Sequence, residues 1–482
     1  MKKALCVIAV FLIMSGFAAA QTSETVDFGY WYGLHSYFGM DPYYNFNSGG
    51  IGGRSMGMGG VYYAMGNEGY GSFLNPAGMM YTDKALMSAD LFISMDKHKG
   101  APLFITTPDF IDPETGRDIS MERSDIDMKH NRIDQAGAVT PFYYFDREWW
   151  FGGGFRTVYD LHADFNMPYF IEGQQTEFSE HRSIDAINMA VATKAMPNVG
   201  FGVNMNIYVR GYEQDIKAVT PESVAEGADT SFQHARVIKD KSSFSGANFD
   251  IGCIADFDMI RAGVMISTPY TLTQKVTHKR GTLDDYGDPD YSIDRITAKN
   301  KFPMTFGGGV AVVPIDNFTV GFDITHKPFS KVKIDIDYEQ NLFTDVTDYK
   351  PQWEDLTQFR FGVEYVLDMN SYKIPLRAGL YNIPGIYKNQ SLVSVLDTSA
   401  TNDNIYITRR DSTDSGDQFN TYIYTFGTGL KFDRIWFDVA YQLGSSEYDQ
   451  NWTIVGDVTD YARDFKVNYD YSRFYISVNM LF

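Results

Sequence analysis

The 482-residue chain carries 41 Lys and Arg against 61 Asp and Glu, a formal charge of −20. It would repel phosphate and has no basic stripe with interleaved aromatics, which argues against a nucleic-acid partner. Aromatic residues make up 16% of it, with 33 Tyr and 36 Phe, yet no run past the N-terminus approaches the roughly 20 apolar residues of a spanning helix. A transmembrane β-barrel accounts for both facts, because its strands are apolar on one face only and its girdles are aromatic.

At the N-terminus, Lys2 and Lys3 precede an apolar run from Ala4 to Phe17 and an A-x-A signal at Ala18-Ala19-Ala20. This is the layout of a signal peptide over residues 1–20, so the mature chain is expected to begin near Gln21. Cys6 would leave with it, and Cys253 alone forms no internal disulfide. Residues 22–47 are aromatic and polar without a sustained period and read as an irregular lead. Gly50 to Tyr81 follows, glycine-dense and almost uncharged, with Arg54 its lone cation and Glu68 its lone anion. So many glycines imply positive-φ turns or close backbone approach to a wall, and the expectation is a plug enclosed by a barrel. The chain thus divides into a signal peptide (1–20), a lead and plug (21–83) and an all-β transmembrane antiparallel barrel (84–482).

Alternation begins at Lys84 to Met95, and paired runs of about ten residues then recur, each pair joined by a tight turn. The pairs are Gln135–Phe145 with Trp149–Leu161, Ser183–Ala195 with Val199–Tyr212, and Phe244–Phe257 with Ile260–Tyr270. Phe302–Val313 with Phe318–His326, Leu356–Leu367 with Lys373–Ile383, and Tyr422–Phe432 with Ile435–Leu443 complete them. Long polar stretches separate the pairs, the first from Asp96 to Asp134 and the last from Gly444 to Asp470. Six short turns and seven long loops give fourteen strands. An even count with this rhythm is the bacterial outer-membrane pattern and predicts both termini in the periplasm.

The last strand places Phe474, Ile476, Val478, Met480 and Phe482 on one face. This resembles the C-terminal signal by which barrel-assembly machinery recognises outer-membrane proteins. Val199, Phe201, Val203, Met205 and Ile207, like Phe318, Val320, Phe322 and Ile324, are assigned to lipid. Charge facing lipid is costly, so Arg210, Asp323, Arg360, Glu364, Arg377 and Asp438 are assigned to the lumen. Trp149, Trp150, Trp436 and Tyr441 lie near strand ends, where an aromatic belt is expected. The sequence carries no bulge signal.

Gly57-Met58-Gly59-Gly60 lacks the GK[ST] and βαβ context of a nucleotide loop. The eight His residues form no zinc spacing; His162 between Asp160 and Asp164 reads as a solvated loop. No Ser/His/Asp set stands out. Neither metal, cofactor nor catalysis is expected. Arg54 either meets a ligand or anchors the plug to Asp323, Glu364 or Asp438, and the cost of an unpaired enclosed charge favours anchoring. Arg360, Glu364 and Arg377, on neighbouring strands, are candidates for an ion network.

Several motifs together resemble the FadL/TodX outer-membrane transporters of long-chain fatty acids and other hydrophobic compounds. They are Gly52-Gly53-Arg54 with Gly57, Gly59 and Gly60; Asn75-Pro76-Ala77-Gly78; Phe302-Pro303-Met304; Phe359 to Tyr365; Leu376 to Gly379; Phe437 to Tyr441; and Phe482. The resemblance spans nearly the whole mature chain. It implies a fourteen-stranded barrel in the outer membrane and passive uptake of a hydrophobic small molecule. Gly53 to Gly60 and Asn75 to Gly78 would form a movable hatch, and a lateral exit through the wall is described for the family. The hatch also resembles that of the PorV-like barrels of type IX secretion, which implies the alternative of a scaffold with secretion components as partners.

Overall fold

The computed structural model describes residues 52–66, 71–105, 120–160, 163–167, 175–219, 235–283, 290–339, 346–350, 353–385, 389–397, 404–413, 418, 420–455 and 461–482. The expected signal peptide and the whole of the expected lead lie outside them, as does His162.

Fourteen strands form one closed ring. They are β1 (Leu86–Ile105), β2 (Ser120–Tyr144), β3 (Arg147–Asp160), β4 (Gln175–Met196), β5 (Val199–Val219), β6 (Ala235–Phe257) and β7 (Ile260–Ser267). The ring continues with β8 (Thr305–Ile315), β9 (Phe318–Lys327), β10 (Leu356–Asp368), β11 (Lys373–Pro384), β12 (Asn420–Lys431), β13 (Ile435–Val455) and β14 (Tyr461–Leu481). Each runs antiparallel to the next. The ring closes through β1 and β14, from Leu86↔Leu481 to Lys99↔Asn468, and Phe482 N donates to Ala85 O at 2.9 Å. Closure leaves no strand edge at the level of this seam, the condition a sheet must meet to cross hydrocarbon.

The expected strand count is the observed one, and the tight turns fall where the sequence places them. Phe145 and Asp146 both have positive φ (47° and 55°), the backbone of a two-residue turn whose twist matches its strands. The expected long loops are shorter than read. β2 begins at Ser120, β13 reaches Val455 and β14 starts at Tyr461, all within stretches taken as loop. Above the apolar belt no lipid selects for a period of two, so the ladder continues without its sequence signature. β3 also carries a bulge between Thr157 and Tyr159 that the sequence does not announce.

Three neighbouring strands stop at one level. β7 ends just before Thr268-Pro269, β8 starts just after Pro303-Met304, and β9 ends before Pro328; Ser267↔Thr305 and Phe306↔His326 set them side by side. Proline has no N–H to donate, so the ladder breaks there. Past the breaks the chain builds a four-stranded branch of the same sheet: Tyr270–Leu283, Asp290–Phe302, Lys333–Tyr338 and Val346–Tyr349. It hangs on the upper half of β6, from Ala235↔Leu283 to Ser245↔Thr273. Ala163–Met167 pairs with β4, and Asn389–Asp397 pairs with Asn404–Thr413 while running parallel to the end of β13.

The faces alternate as expected. Phe201, Val203, Phe322, Ile324, Val478 and Met480 are exposed on the outside, while Gly202, Asn204, Asp323, Thr325, Ser477 and Asn479 are buried on the inside. The belt reading needs correction at two of its tryptophans. Trp150 is buried and donates its Nε1–H to Thr82 O at 2.8 Å; Trp436 is buried under Lys431, whose Nζ lies 4.6 Å from the ring. Both occupy inward positions of the alternation, which outweighs nearness to a strand end. The exposed aromatics beside the short turns are instead Phe142, Tyr144, Phe145, Phe257 and Phe432. An arginine in place of Val203, on the outer face, should cost about 2–4 kcal/mol if the site lies near mid-depth. Denaturant titration of the protein folded into vesicles measures it.

Candidate functional site

Residues 52–66 and 71–85 lie inside the ring, against the inward side chains of most strands. Gly52–Gly57 forms a short helix, α1. Gly59 and Gly60 end it in left-handed backbone (φ 66° and 76°), and Gly60 N reaches back to Ser55 O at 2.8 Å, as at many helix C-termini. Gly59 N turns to the wall, donating to Thr425 Oγ1 of β12 at 2.8 Å, while Thr425 Oγ1 donates to Gly57 O at 3.1 Å. Gly53 N donates to Ser477 Oγ of β14 at 2.6 Å. The segment closes in a 3-10 turn, Pro76–Tyr81, capped by Asn75, whose Oδ1 accepts from Ala77 N (3.2 Å) and whose Nδ2 donates to Tyr63 O (2.8 Å). The glycines and the Asn-Pro-Ala-Gly stretch are therefore seating devices.

The wall answers with glycines of its own. A β-carbon at Gly362 or Gly379 would overlap the Met58-Gly59 backbone, one at Gly263 the Tyr63 carbonyl, and one at Gly202 would sit 2.5 Å from Pro76 C. These inward glycines, among them Gly427 against Gly57, were not anticipated as contacts. The sequence signal was there: glycine repeatedly takes the inward phase of strands whose outward phase is large and apolar.

Charge fixes the segment at one point. Arg54 forks onto Glu364, Nη2 to Oε1 at 2.8 Å and Nε to Oε2 at 3.2 Å, and its Nη1 donates to Gly66 O at 3.0 Å. Glu364 also accepts from Arg377 Nε (2.6 Å), and Arg377 Nη1 donates to Asp438 Oδ1 (2.6 Å). Asn479 extends the chain to Asp438 Oδ2 at 3.4 Å. Of the candidate anchors for Arg54, Glu364 is the partner. Asp323 instead accepts the Tyr62 and Tyr63 backbone N–H groups, at 2.6 and 3.0 Å. Arg360 stands outside the network, donating to Thr325 Oγ1 (2.6 Å) and to Gln358. Arg210, assigned to the lumen, is a correction: its side chain is 64% exposed and pairs with Asp185 at 2.9 Å. Its backbone is left-handed (φ 72°) where β5 and β6 part between Tyr208 and Glu213, so the alternation does not carry through it.

Above the segment the lumen is apolar. Tyr208, Tyr270 and Phe302 stack with centroids 5.0 and 4.9 Å apart, and Phe302 meets Phe329 and Trp353 at 5.6 and 6.4 Å. These rings belong to one buried cluster with Ile184, Ile334, Ile336, Tyr381, Ile423 and Tyr471. Beside it stand three basic side chains: Lys327 of β9, within electrostatic reach of both Arg156 of β3 and Arg360 of β10. Arg156 and Arg360 form no ion pair among the described residues, and the Nε of each is buried without an acceptor, as is Gln358 Nε2. Both guanidinium groups also lie over rings of the interior segment, Arg156 5.9 Å from Phe73 and Arg360 5.2 Å from Tyr62. No group of three or more His, Cys, Asp or Glu side chains able to hold a metal occurs among the described residues.

Arg54→Ala removes the fork while leaving Glu364 neutralised by Arg377, so the barrel should still fold and its single-channel conductance in planar bilayers should rise. Unchanged conductance would show that the pair does not hold the lumen closed.

No protein-family model matches the sequence, and no curated protein matches it significantly. Solved structures do match. A FadL homologue of Pseudomonas aeruginosa is 13% identical with a TM-score of 0.61, covering 91% of this chain and 100% of its own. The toluene transporter TodX of P. putida is 14% identical with a TM-score of 0.57, covering 90% and 99%. The monoaromatic hydrocarbon channel CymD is 12% identical with a TM-score of 0.52, covering 90% and 98%. The chain shares the fold of these FadL- and TodX-type barrels over nearly its whole length.

Proposed function

We propose that the protein is an outer-membrane channel for passive uptake of amphiphiles with an apolar tail and an anionic head, of the long-chain fatty acid kind. The observation that carries this reading is the set of buried N–H groups without an acceptor among the described residues, Arg156 Nε, Arg360 Nε and Gln358 Nε2, beside Lys327 and the buried aromatic cluster. Buried donors without acceptors are costly, and an anionic head would satisfy them while its tail displaced side chains of the apolar cluster. An aromatic hydrocarbon would fill the apolar part and leave the donors unmet. The fold shared with a FadL homologue and with two hydrocarbon channels supports the broader class.

Gating follows from shared residues. Arg156 and Arg360 stand over Phe73 and Tyr62 of the interior segment, and such cation–π contacts are worth about 0.5–2 kcal/mol each. A bound anion competes for the same guanidinium groups, weakening the hold on the segment that acts as the hatch. No energy source is needed, since the ligand moves down its gradient. Membrane lipids surround the apolar belt, barrel-assembly machinery reads the terminal strand, and both termini face the periplasm. Nothing in the geometry favours the secretion-scaffold alternative, because the glycines and Asn75 to Gly78 are accounted for by seating the segment.

Deletion of the gene should slow uptake of labelled oleate, and the wild-type chain should restore it. Uptake as fast in the deletion strain as in its parent would sink the reading. Lys327→Met and Arg156→Met should each lower oleate uptake about tenfold, the loss expected from a charge-assisted hydrogen bond, and leave toluene uptake within about twofold.

A further inference from the structure

Two buried amide side chains are neighbours of Arg156 on the wall of the lumen. Gln135 of β2 pairs directly with it. Asn188 of β4 is its diagonal neighbour, since Arg156 pairs with Ala186 and Gly154 with Asn188. The carbonyl oxygen of each, Gln135 Oε1 and Asn188 Oδ1, is buried without a donor among the described residues, so neither accepts from Arg156, whose own Nε is unmet. Carboxylates fix which way both amides face, because a carboxylate only accepts. Asp250 of β6 takes the Nδ2 groups of Asn204 (3.1 Å), Asn206 (2.7 Å) and Asn248 (3.4 Å), together with Ser267 Oγ (2.6 Å). Asn204 therefore offers its Oδ1 to Asn188, whose Nδ2 donates at 3.0 Å, and the chain ends on Asn188 Oδ1. Asp90 orients Gln135 in one step by accepting from its Nε2. Turning Asn188 over would oppose two carbonyl oxygens, and turning Gln135 over would oppose an oxygen to a carboxylate. The amide chain and the guanidinium border the same part of the lumen. Tyr208, whose hydroxyl donates to Asn248 Oδ1 at 3.1 Å, lies within electrostatic reach of both Asp250 and Arg156 and belongs to the stacked rings.

We propose that the site around Arg156 prefers long-chain acids that carry a hydroxyl a few bonds from the carboxylate, with Asn188 Oδ1 or Gln135 Oε1 accepting from that hydroxyl. A buried acceptor without a donor is costly in the same way as a buried donor without an acceptor. A plain carboxylate meets Arg156 and leaves both oxygens as they are, since it has no proton to give. An ammonium group would supply the proton, but Arg156 and Lys327, within reach of each other, repel a second cation. A neutral hydroxyl satisfies an oxygen without that repulsion. This inference rests on the uptake reading above and narrows its ligand.

The test is displacement of fluorescent cis-parinaric acid from the purified protein in detergent by tetradecanoic acid and by its 2-hydroxy and 3-hydroxy derivatives. At least one hydroxy acid should displace the probe at a concentration about three- to tenfold below that of tetradecanoic acid, the gain of one neutral hydrogen bond. Asn188→Leu and Gln135→Met each remove one oxygen at little change of size. The ratio of the two concentrations should fall to about one in the double variant, and most of the fall should appear in one of the single variants. Where the double variant does not fold, the single variants carry the test. Equal displacement by all three acids from the wild-type protein, or a preference that survives loss of both oxygens, overturns the inference. Tetradecanoic acid itself checks the uptake reading separately. If neither it nor the probe binds, that reading fails and this one with it; if both bind and the hydroxyl makes no difference, the hydroxyl preference alone fails.

Discussion

Every backbone N–H and C=O within a bilayer must find a partner in the chain itself, and the pairing of β1 with β14 is where this chain meets that demand. Opening that seam would expose two strand edges to hydrocarbon. Once the ring is closed, the period of two becomes a division of space: each strand gives one face to lipid and one to the lumen. The interior then inherits a problem of its own, because residues 52–66 and 71–85 bring backbone groups that need partners and a cation into a narrow enclosure. Asp323 answers for two amides, Thr425 for a third and Glu364 for the cation. The wall glycines bring backbone close enough for those bonds to form. Removing Glu364 would leave Arg54 and Arg377 facing each other without their shared carboxylate, a larger disturbance than loss of either arginine.

What the sequence made legible was whatever lipid enforces. The Asp258-Met259 turn, the alternation from Val199 to Tyr208 and the terminal Phe474 to Phe482 face all follow from a strand that must be apolar on one side. Where lipid ends, so does the signal. The extension of β13 past Leu443 pairs Ser445 with Asp470 and Glu447 with Asn468, polar on both faces and indistinguishable from loop. Arg54 was legible as an anchor because an enclosed charge needs a partner. That the partner is Glu364 was not, since Asp323 and Asp438 share the same inward phase and only the height of each along its strand separates them.

The prolines occupy a middle ground. Pro269, Pro303 and Pro328 are visible in the sequence, and each ends a readable strand. Their common level is not visible, because it depends on the stagger by which Ser267 meets Thr305 and Phe306 meets His326. Strand register therefore turns three local punctuation marks into one transverse line, across which the barrel wall gives way to a branch of the sheet carried by β6.

The lumen contains several arginines, and pairing decides which can serve a ligand. On the wall formed by β14, β1, β2 and β3, Arg473 is bonded to Asp96 at 2.6 Å and Arg132 to Asp134 at 2.8 Å and to Asp160. Both flank the Phe92 ring, at 5.5 and 4.6 Å. An incoming anion gains little there, since it must displace a carboxylate already in place. Arg377 is committed to Glu364 and Asp438 in the same way. Among the described residues Arg156 and Arg360 have no such counter-charge in contact, and each stands over a ring of the interior segment below the aromatic cluster. The distribution of acids therefore does as much to define the proposed site as the basic residues themselves: by neutralising one wall, it leaves the other as the place where the proposed ligand's negative head group would be stabilised.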